Sequence, residues 1–266
     1  MNAPHKNSWF GDVRAVFIRN VIRMRRSPDV LAWAILQPIM FVLLFSQVFG
    51  GAINVPGVNY TNFLMAGIFA QSAIFGSTFS AMYMVQDKKD GLIDRFKTLP
   101  MASSAVVVAR TLSDAVLNFA TLAVMVVTGL VIGWRPEAGF GGFLGGFLLL
   151  LFFSWAFSWV LVFLGLMVKS VEAMNSATMM VLFPLTFLSN AFVPSQSMPT
   201  VLRVFAEWNP VSALVQGTRH LFGNEGNAPV PNSWPMQHPV PAIMAGCVLL
   251  VLIFAPLTVR RFRRGQ

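Results

Sequence analysis

Apolar residues run along this chain in six long blocks, near residues 31–50, 62–86, 105–133, 142–168, 173–193 and 239–258. Each block is roughly 20 residues or more, enough for a helix to cross about 30 Å of hydrocarbon. Water is missing there, so the backbone must satisfy its own polar groups, and a continuous apolar block is predicted to be helical. The short alternating pattern of a transmembrane barrel is absent. The predicted fold is therefore all-α: a polytopic membrane protein with about six transmembrane helices. Nothing between the blocks is long enough to bury a soluble core, so residues 1–266 read as a single transmembrane domain. The first block is too long and too rich in bulky residues for a cleaved leader, and reads as a retained span.

The intervals between blocks have patterns of their own. Over residues 8–26, Trp9, Phe10, Val13, Phe17 and Val21 recur at three- and four-residue steps, and Arg14, Arg19, Arg23 and Arg25 fill most of the rest. This pattern predicts a basic amphipathic helix lying in the membrane interface, anchored by Trp9, Phe10, Phe17 and Arg23. Ser27-Pro28-Asp29 ends it. Residues 87–101 repeat the device on a smaller scale. Leu92, Ile93, Phe96 and Leu99 form an apolar stripe, charges cover the other face, and Pro100 stops the helix. Such a helix can dock its apolar face in a partner's groove; the plainer alternative is a solvated loop helix touching headgroups. Residues 191–238 are too long for a turn. The first half carries Val201, Leu202, Val204, Phe205 and Trp208 between Pro194, Pro199 and Pro210, and is predicted to form short re-entrant helices dipping into the outer leaflet. The second half, rich in Pro, Asn and Gly, reads as an exposed loop.

Charge then orients these elements. Hydrophobic residues make up 56% and charged residues 11%, far from a soluble balance. When the intervals are assigned alternately to two sides, 16 of the 19 Lys and Arg fall on one side. The other side keeps only Arg135, Arg203 and Arg219. Basic loops stay in the cytoplasm, so both termini are predicted to be cytoplasmic, in the cell membrane. The net charge of +9 is then topogenic and calls for no nucleic-acid partner.

Polar residues inside the blocks are few. Gln71, Asn118, Asn175 and Asn190 are expected to face the bundle interior, where they hydrogen-bond between helices or line a substrate path. Arg110 and Asp114 stand four apart and are expected to pair. Pro38 and Pro184 are expected to bend their helices. Glycines four apart, Gly129/Gly133, Gly141/Gly145 and Gly142/Gly146, suit close helix packing within the subunit or, second, between copies. The lone Cys247 excludes an intrachain disulfide, and the three histidines lie too far apart in sequence for a metal site. No phosphate-binding glycine loop, nucleophile elbow or His-Glu-x-x-His pair occurs. One catalytic pattern competes: Asp87, Asp90 and Asp94 have the spacing of the aspartate-rich motif of membrane prenyltransferases, whose carboxylates hold Mg²⁺-diphosphate. A second acidic loop is missing, and Lys88, Lys89, Arg95 and Lys97 crowd the first. On the docking-helix alternative Asp87, at the edge of its span, is expected to matter least of the three.

The run Asp90-Gly91-Leu92-Ile93-Asp94-Arg95-Phe96-Lys97-Thr98-Leu99-Pro100, followed by Ala109-Arg110, resembles the permease subunits of ABC-2 type ABC transporters. So do Phe192-Val193-Pro194, Met198-Pro199, Asn209-Pro210-Val211 and Arg219-His220-Leu221. The Gly-Leu-Ile-Asp-Arg-Phe form is most similar to the daunorubicin-resistance branch. The resemblance implies a permease pairing as a homodimer with two copies of a separate ATPase, which holds ATP and Mg; no cofactor is expected in this chain. It implies that the helix at 90–100 carries ATPase movements to the spans, and that Pro194, Asn209, Pro210 and Arg219 belong to the outer re-entrant motif. The expected function is outward transport of an amphipathic drug or lipid-like molecule, with export of a cell-envelope lipid or polysaccharide as the alternative.

Overall fold

The computed structural model describes residues 8–49, 57–98, 100–227 and 230–264. Leu99 lies outside them. The described residues form helices and connecting turns, without strands. They are α1 (Trp9–Arg25), α2 (Pro28–Phe49), α3 (Tyr60–Gly76), α4 (Thr78–Lys89), α5 (Leu92–Thr98), α6 (Ser103–Val131), α7 (Gly139–Met167), α8 (Val171–Phe187), α9 (Thr200–Trp208), α10 (Pro210–Phe222), α11 (Trp234–Gln237) and α12 (Pro239–Arg264), with a 3-10 turn at Ser195–Ser197.

Four helical stretches are long and apolar enough to cross a membrane: Tyr60–Lys89, Ser103–Val131, Gly139–Met167 and Pro239–Arg263. The first of these is α3 and α4 run together, broken only at Ser77. The Ser77 hydroxyl donates to the Ala73 carbonyl at 2.8 Å and the Ser154 carbonyl at 3.1 Å, so the break is tied to α7. The first and fifth blocks are helical as well but shorter in apolar length. In α2 the apolar stretch is Ile35–Val48, and α8 has 17 residues. Pro38 and Pro184 both sit inside their helices, as expected.

Among the described residues, three clusters of buried apolar side chains run along the bundle, and two of them frame the site. The larger cluster joins α3, α6, α7, α10 and α12 around Trp134, Phe69 and Phe222, whose rings meet edge to face at 5.2–5.8 Å. The smaller cluster gathers Val16 of α1, Met84 of α4, Ile93 of α5, Val107 of α6, Val162 of α7 and Phe262 of α12. It marks one end of the bundle, which also carries Arg14, Arg19, Arg23, Lys88, Lys89, Arg95, Arg260 and Arg261; we call it the basic end.

Glycine spacing serves packing inside the subunit. A Cβ on Gly142 would lie 2.3 Å from the Leu221 carbonyl oxygen, and one on Gly146 would lie 2.5 Å from the Phe222 ring. These two positions let α10 press into α7. Gly141, one residue away, faces open space. The segment after α10 departs from the expected exposed loop. Asn224 is buried, accepting from the Trp134 indole at 2.9 Å and donating to the Arg135 carbonyl, and Met236 is buried beneath α11. A buried turn needs its polar groups met, and Asn224 meets them.

Gly142→Ala should destabilise the protein by about 1–3 kcal/mol, since the methyl group strikes a backbone carbonyl that cannot rotate away. Gly141→Ala should be neutral or slightly stabilising, because a mid-helix Gly costs up to ~1 kcal/mol relative to Ala. Thermal unfolding in detergent checks both; equal midpoints for the two variants would refute the packing account.

Candidate functional site

At the basic end, α1 does not merely lie beside the bundle. Its buried face is Asp12, Val16, Asn20 and Met24, one side chain per turn, with Val13 and Phe17 partly buried on its flank. The aromatic positions read as anchors are largely outside: Phe10 is 77% and Trp9 39% exposed, with the Trp9 indole donating to Ser104 Oγ at 3.1 Å. Two polar residues on the inward stripe escaped the sequence reading, which sorted positions by hydrophobicity alone. Their i,i+4 spacing with Val16 and Met24 was the available signal. Asp12 has a partner in another helix. Its Oδ2 accepts from the Ala102 amide, at the mouth of α6, at 3.2 Å, where a carboxylate also favours the helix dipole.

Asp87 is the second surprise. Expected at an exposed edge and of least consequence, it is 5% exposed and bonded to two arginines of α1. Arg19 Nη2 donates to Oδ2 at 3.0 Å, and Arg23 Nη1 donates to Oδ1. Arg19 also lies over the Phe96 ring at 4.9 Å, and Arg23 over the Tyr83 ring at 5.2 Å. Arg110 of α6 also lies over the Tyr83 ring, at 4.5 Å. α1, α4, α5 and α6 thus meet in a cation–carboxylate–aromatic node. Lys88 adds a link to α7 through the Leu166 carbonyl at 3.1 Å.

The expected Arg110–Asp114 pair is not formed. Both carboxylate oxygens of Asp114, and Nε and Nη2 of Arg110, lack hydrogen-bond partners. Helical side chains lean toward the N-terminus, so an Arg one turn N-terminal to an Asp reaches away from it. Arg110 finds the Tyr83 face instead.

The loop-helix residues divide into two sets. Gly91 turns the chain with φ +68, a conformation that suits glycine. Ile93 is buried in the basic-end cluster, and Phe96 packs against it. The apolar stripe is therefore spent on this chain rather than held out for a partner, with Leu92 only partly buried. Asp90, Asp94, Arg95, Thr98 and Pro100 are exposed. Asp90 accepts from Gln86 Nε2 at 2.7 Å. Asp87, Asp90 and Asp94 do not converge. Among the described residues no three His, Cys, Asp or Glu gather as metal ligands. Asp87 is already neutralised by arginine.

The four in-span amides are not brought together. Gln71 and Asn175 line one cavity of about 210 Å³ between α2, α3–α4 and α8, with Gln37, Phe41, Phe75 and Met179. Asn118 is buried behind it, against Gly76; a Cβ there would lie 2.2 Å from its Oδ1. Asn190 sits at the opposite end, its amide donating to Ser212 Oγ at 3.0 Å.

That opposite end holds Pro194, Asn209, Pro210 and Arg219. Asn209 caps α10, accepting from Val211 N at 2.9 Å, and its Nδ2 donates to the Leu185 and Leu188 carbonyls at 2.7 and 3.0 Å. Pro210 follows at the first helical position, where its missing N–H costs nothing. Pro194 opens the 3-10 turn. Arg219, though charged, is 1% exposed. It donates to the Phe63, Asn190 and Ala191 carbonyls at 3.0, 2.8 and 3.1 Å and stacks on Phe63.

Residues 11–222 match the family of ABC-2 type transporters. The chain belongs to this family. Across 245 residues it is 32% identical to the daunorubicin resistance ABC transporter permease protein DrrB1 of Streptomyces coeruleorubidus, covering 92% of this chain and 83% of that one. It is 25% identical over 224 residues to the putative transport permease ycf38 of Pyropia yezoensis, covering 83% and 77%. It is 27% identical over 212 residues to the probable doxorubicin resistance ABC transporter permease protein DrrC of Mycobacterium tuberculosis (strain ATCC 25618 / H37Rv), covering 76% and 73%. The protein is accordingly a multi-pass membrane permease of the ABC-2 type, with all its described helices in one bundle.

Asp87→Asn should detach α1. Losing the charge leaves Arg19 and Arg23 facing each other without a counter-ion, at a cost of about 3 kcal/mol for a largely buried site. Limited proteolysis or hydrogen exchange over residues 8–26 should report it, while Asp90→Asn and Asp94→Asn leave α1 protected. Equal protection in all three variants would remove Asp87 from the node.

Proposed function

We propose that this permease is the transmembrane subunit of an ATP-driven exporter that moves an amphipathic drug-like molecule out of the cell. Membership of the ABC-2 family supports the transport class, and the drug reading comes from relatives named for daunorubicin and doxorubicin resistance. In this reading α2, α3–α4, α6, α7, α8 and α12 are six crossings, the basic end and both termini face the cytoplasm, and α9–α10 form the outer re-entrant region. ATP and Mg belong to a separate ATPase, present in two copies, and this chain carries no cofactor.

The observation that carries the mechanism is the anchoring of α5. Ile93 and Phe96 hold its apolar face to α1, α4 and α6, which leaves Asp90, Asp94 and Arg95 turned outward at the basic end. The ATPase then grips a polar surface, and the docked face passes its movement into α4 through Asp87. The cavity at Gln71 and Asn175 is the proposed cargo path. Its amides bond polar substituents, and Phe41 and Phe75 face flat apolar ones. Beside it, α2 and α8 present Trp33, Met40, Leu44, Met180 and Val181, all more than half exposed, which suits a second copy facing the first across the cavity.

Two measurements test this reading. Co-expressed with its partner ABC ATPase, the permease should co-purify with it and support ATP-dependent uptake of an anthracycline into inverted vesicles. Arg95→Ala or Asp94→Ala should lower coupled transport several-fold with the permease still folded, whereas Phe96→Ala should also loosen α1. ATP hydrolysis by the rigorously purified permease alone would overturn the division of labour. For the homodimer, Val181→Cys in a Cys247→Ser background should form an intersubunit disulfide under mild oxidation; a cross-link-free monomer under conditions that support transport would count against this interface.

A further inference from the structure

A second apolar space lies away from the cargo cavity, beneath the interfacial helix. Leu112, Val116 and Phe119 of α6 form its floor, Phe10 and Phe17 of α1 its wall, and Leu151 of α7 its far end. It encloses about 630 Å³ and opens outward, with Phe10 77% and Phe119 52% exposed. Its one charged lining residue is Arg14. The neighbouring arginines Arg19 and Arg23 are committed to Asp87. Arg14 makes no ion pair among the described residues.

The geometry points to a bound anionic phospholipid, one acyl chain in this groove and its phosphate against Arg14. Residues 112 to 119 rise ~10 Å along α6. One leaflet's hydrocarbon is ~15 Å deep, half of a core of about 30 Å. The groove thus starts at the interfacial helix and runs most of one leaflet's depth, the path of a single chain whose headgroup stays at the surface. A guanidinium at the mouth and no charge along the wall match a ligand that is anionic at one end and hydrocarbon beyond it. This inference rests on the membrane placement of α1 and α6 and on neither the cargo nor the ATPase.

The test is lipid retention by the full-length permease, equilibrated in equal amounts of phosphatidylglycerol and phosphatidylcholine and examined by native mass spectrometry. Wild type should keep one phosphatidylglycerol per chain in preference to phosphatidylcholine. Arg14→Gln should lower that retention about fivefold, the value of one basic residue at an anionic surface. Arg14→Lys should keep most of it. Val116→Trp should expel both lipids by filling the groove, and Ala115→Leu is the milder filler if the tryptophan variant fails to fold. Equal retention of the two headgroups in wild type, or no loss in Arg14→Gln, means annular lipid only and overturns the site. Loss of the lipid on dimerisation or on ATPase binding, with Phe10 and Phe119 protected from hydroxyl-radical labelling, gives the groove to a protein and overturns it equally.

Discussion

Hydrocarbon offers no hydrogen bonds, and most of this structure answers to that constraint. Helices answer it within themselves. The difficult places are where a helix stops inside the bundle, and there the chain uses long polar side chains. α8 ends at Phe187, and the turn that follows is buried at Ser189–Phe192. Its carbonyls are met by Arg219 and Asn209, and its Asn190 amide by Ser212. One guanidinium serves three carbonyls from two segments, each a charge-assisted bond of ~1.5–3 kcal/mol. The charge itself is softened by the Phe63 ring beneath it. In this setting Arg219 acts as a backbone clamp rather than as a loop charge.

The basic end is built on the opposite logic. There the charges lie close enough to one another to order four helices, with Asp87 and Arg110 buried and Arg19 and Arg23 reaching partly to the surface. Asp87 takes two arginines, Tyr83 has two over its ring, and Phe96 has one. Every cation in the node also touches an aromatic face, so it keeps some attraction even where its carboxylate is shared. α1, α4 and α5 are thereby joined by charge as well as by the apolar cluster of Val16, Met84 and Ile93, and the loop helix inherits its position from residues more than sixty positions earlier in the chain.

Much of this was legible before any coordinates. Apolar block length located α2, α3–α4, α6 and α7 to within about three residues, because a helix in hydrocarbon keeps few polar positions along its length. Gly142/Gly146 announced a close approach, whereas the Asn209 cap that starts α10 went unread. What stayed hidden was direction. The spacing of Leu92, Ile93 and Phe96 shows a stripe but not which surface covers it, and here the covering surface belongs to the same chain. Arg110 and Asp114 share a helix face, yet tertiary neighbours, chiefly Tyr83, decide where the guanidinium goes. Asp87 looked peripheral because its two partners lie in a different helix, and Asp12 and Asn20 were hidden by the assumption that inward positions are apolar.

The break at Ser77 divides one span into two arms with different attachments. The upper arm, α3, is pinned where Gly67 meets the Ala191 carbonyl and Arg219 meets Phe63. The lower arm, α4, is moored through Asp87 to α1. A pivot between a pinned arm and a moored arm is a lever. Twelve residues give α4 a length of ~18 Å, so a tilt of only about ten degrees swings its tip by ~3 Å. Gly76 and Thr78, on either side of the pivot, line the cavity that holds Gln71 and Asn175. A small rotation at the basic end would therefore bear directly on the shape of that cavity.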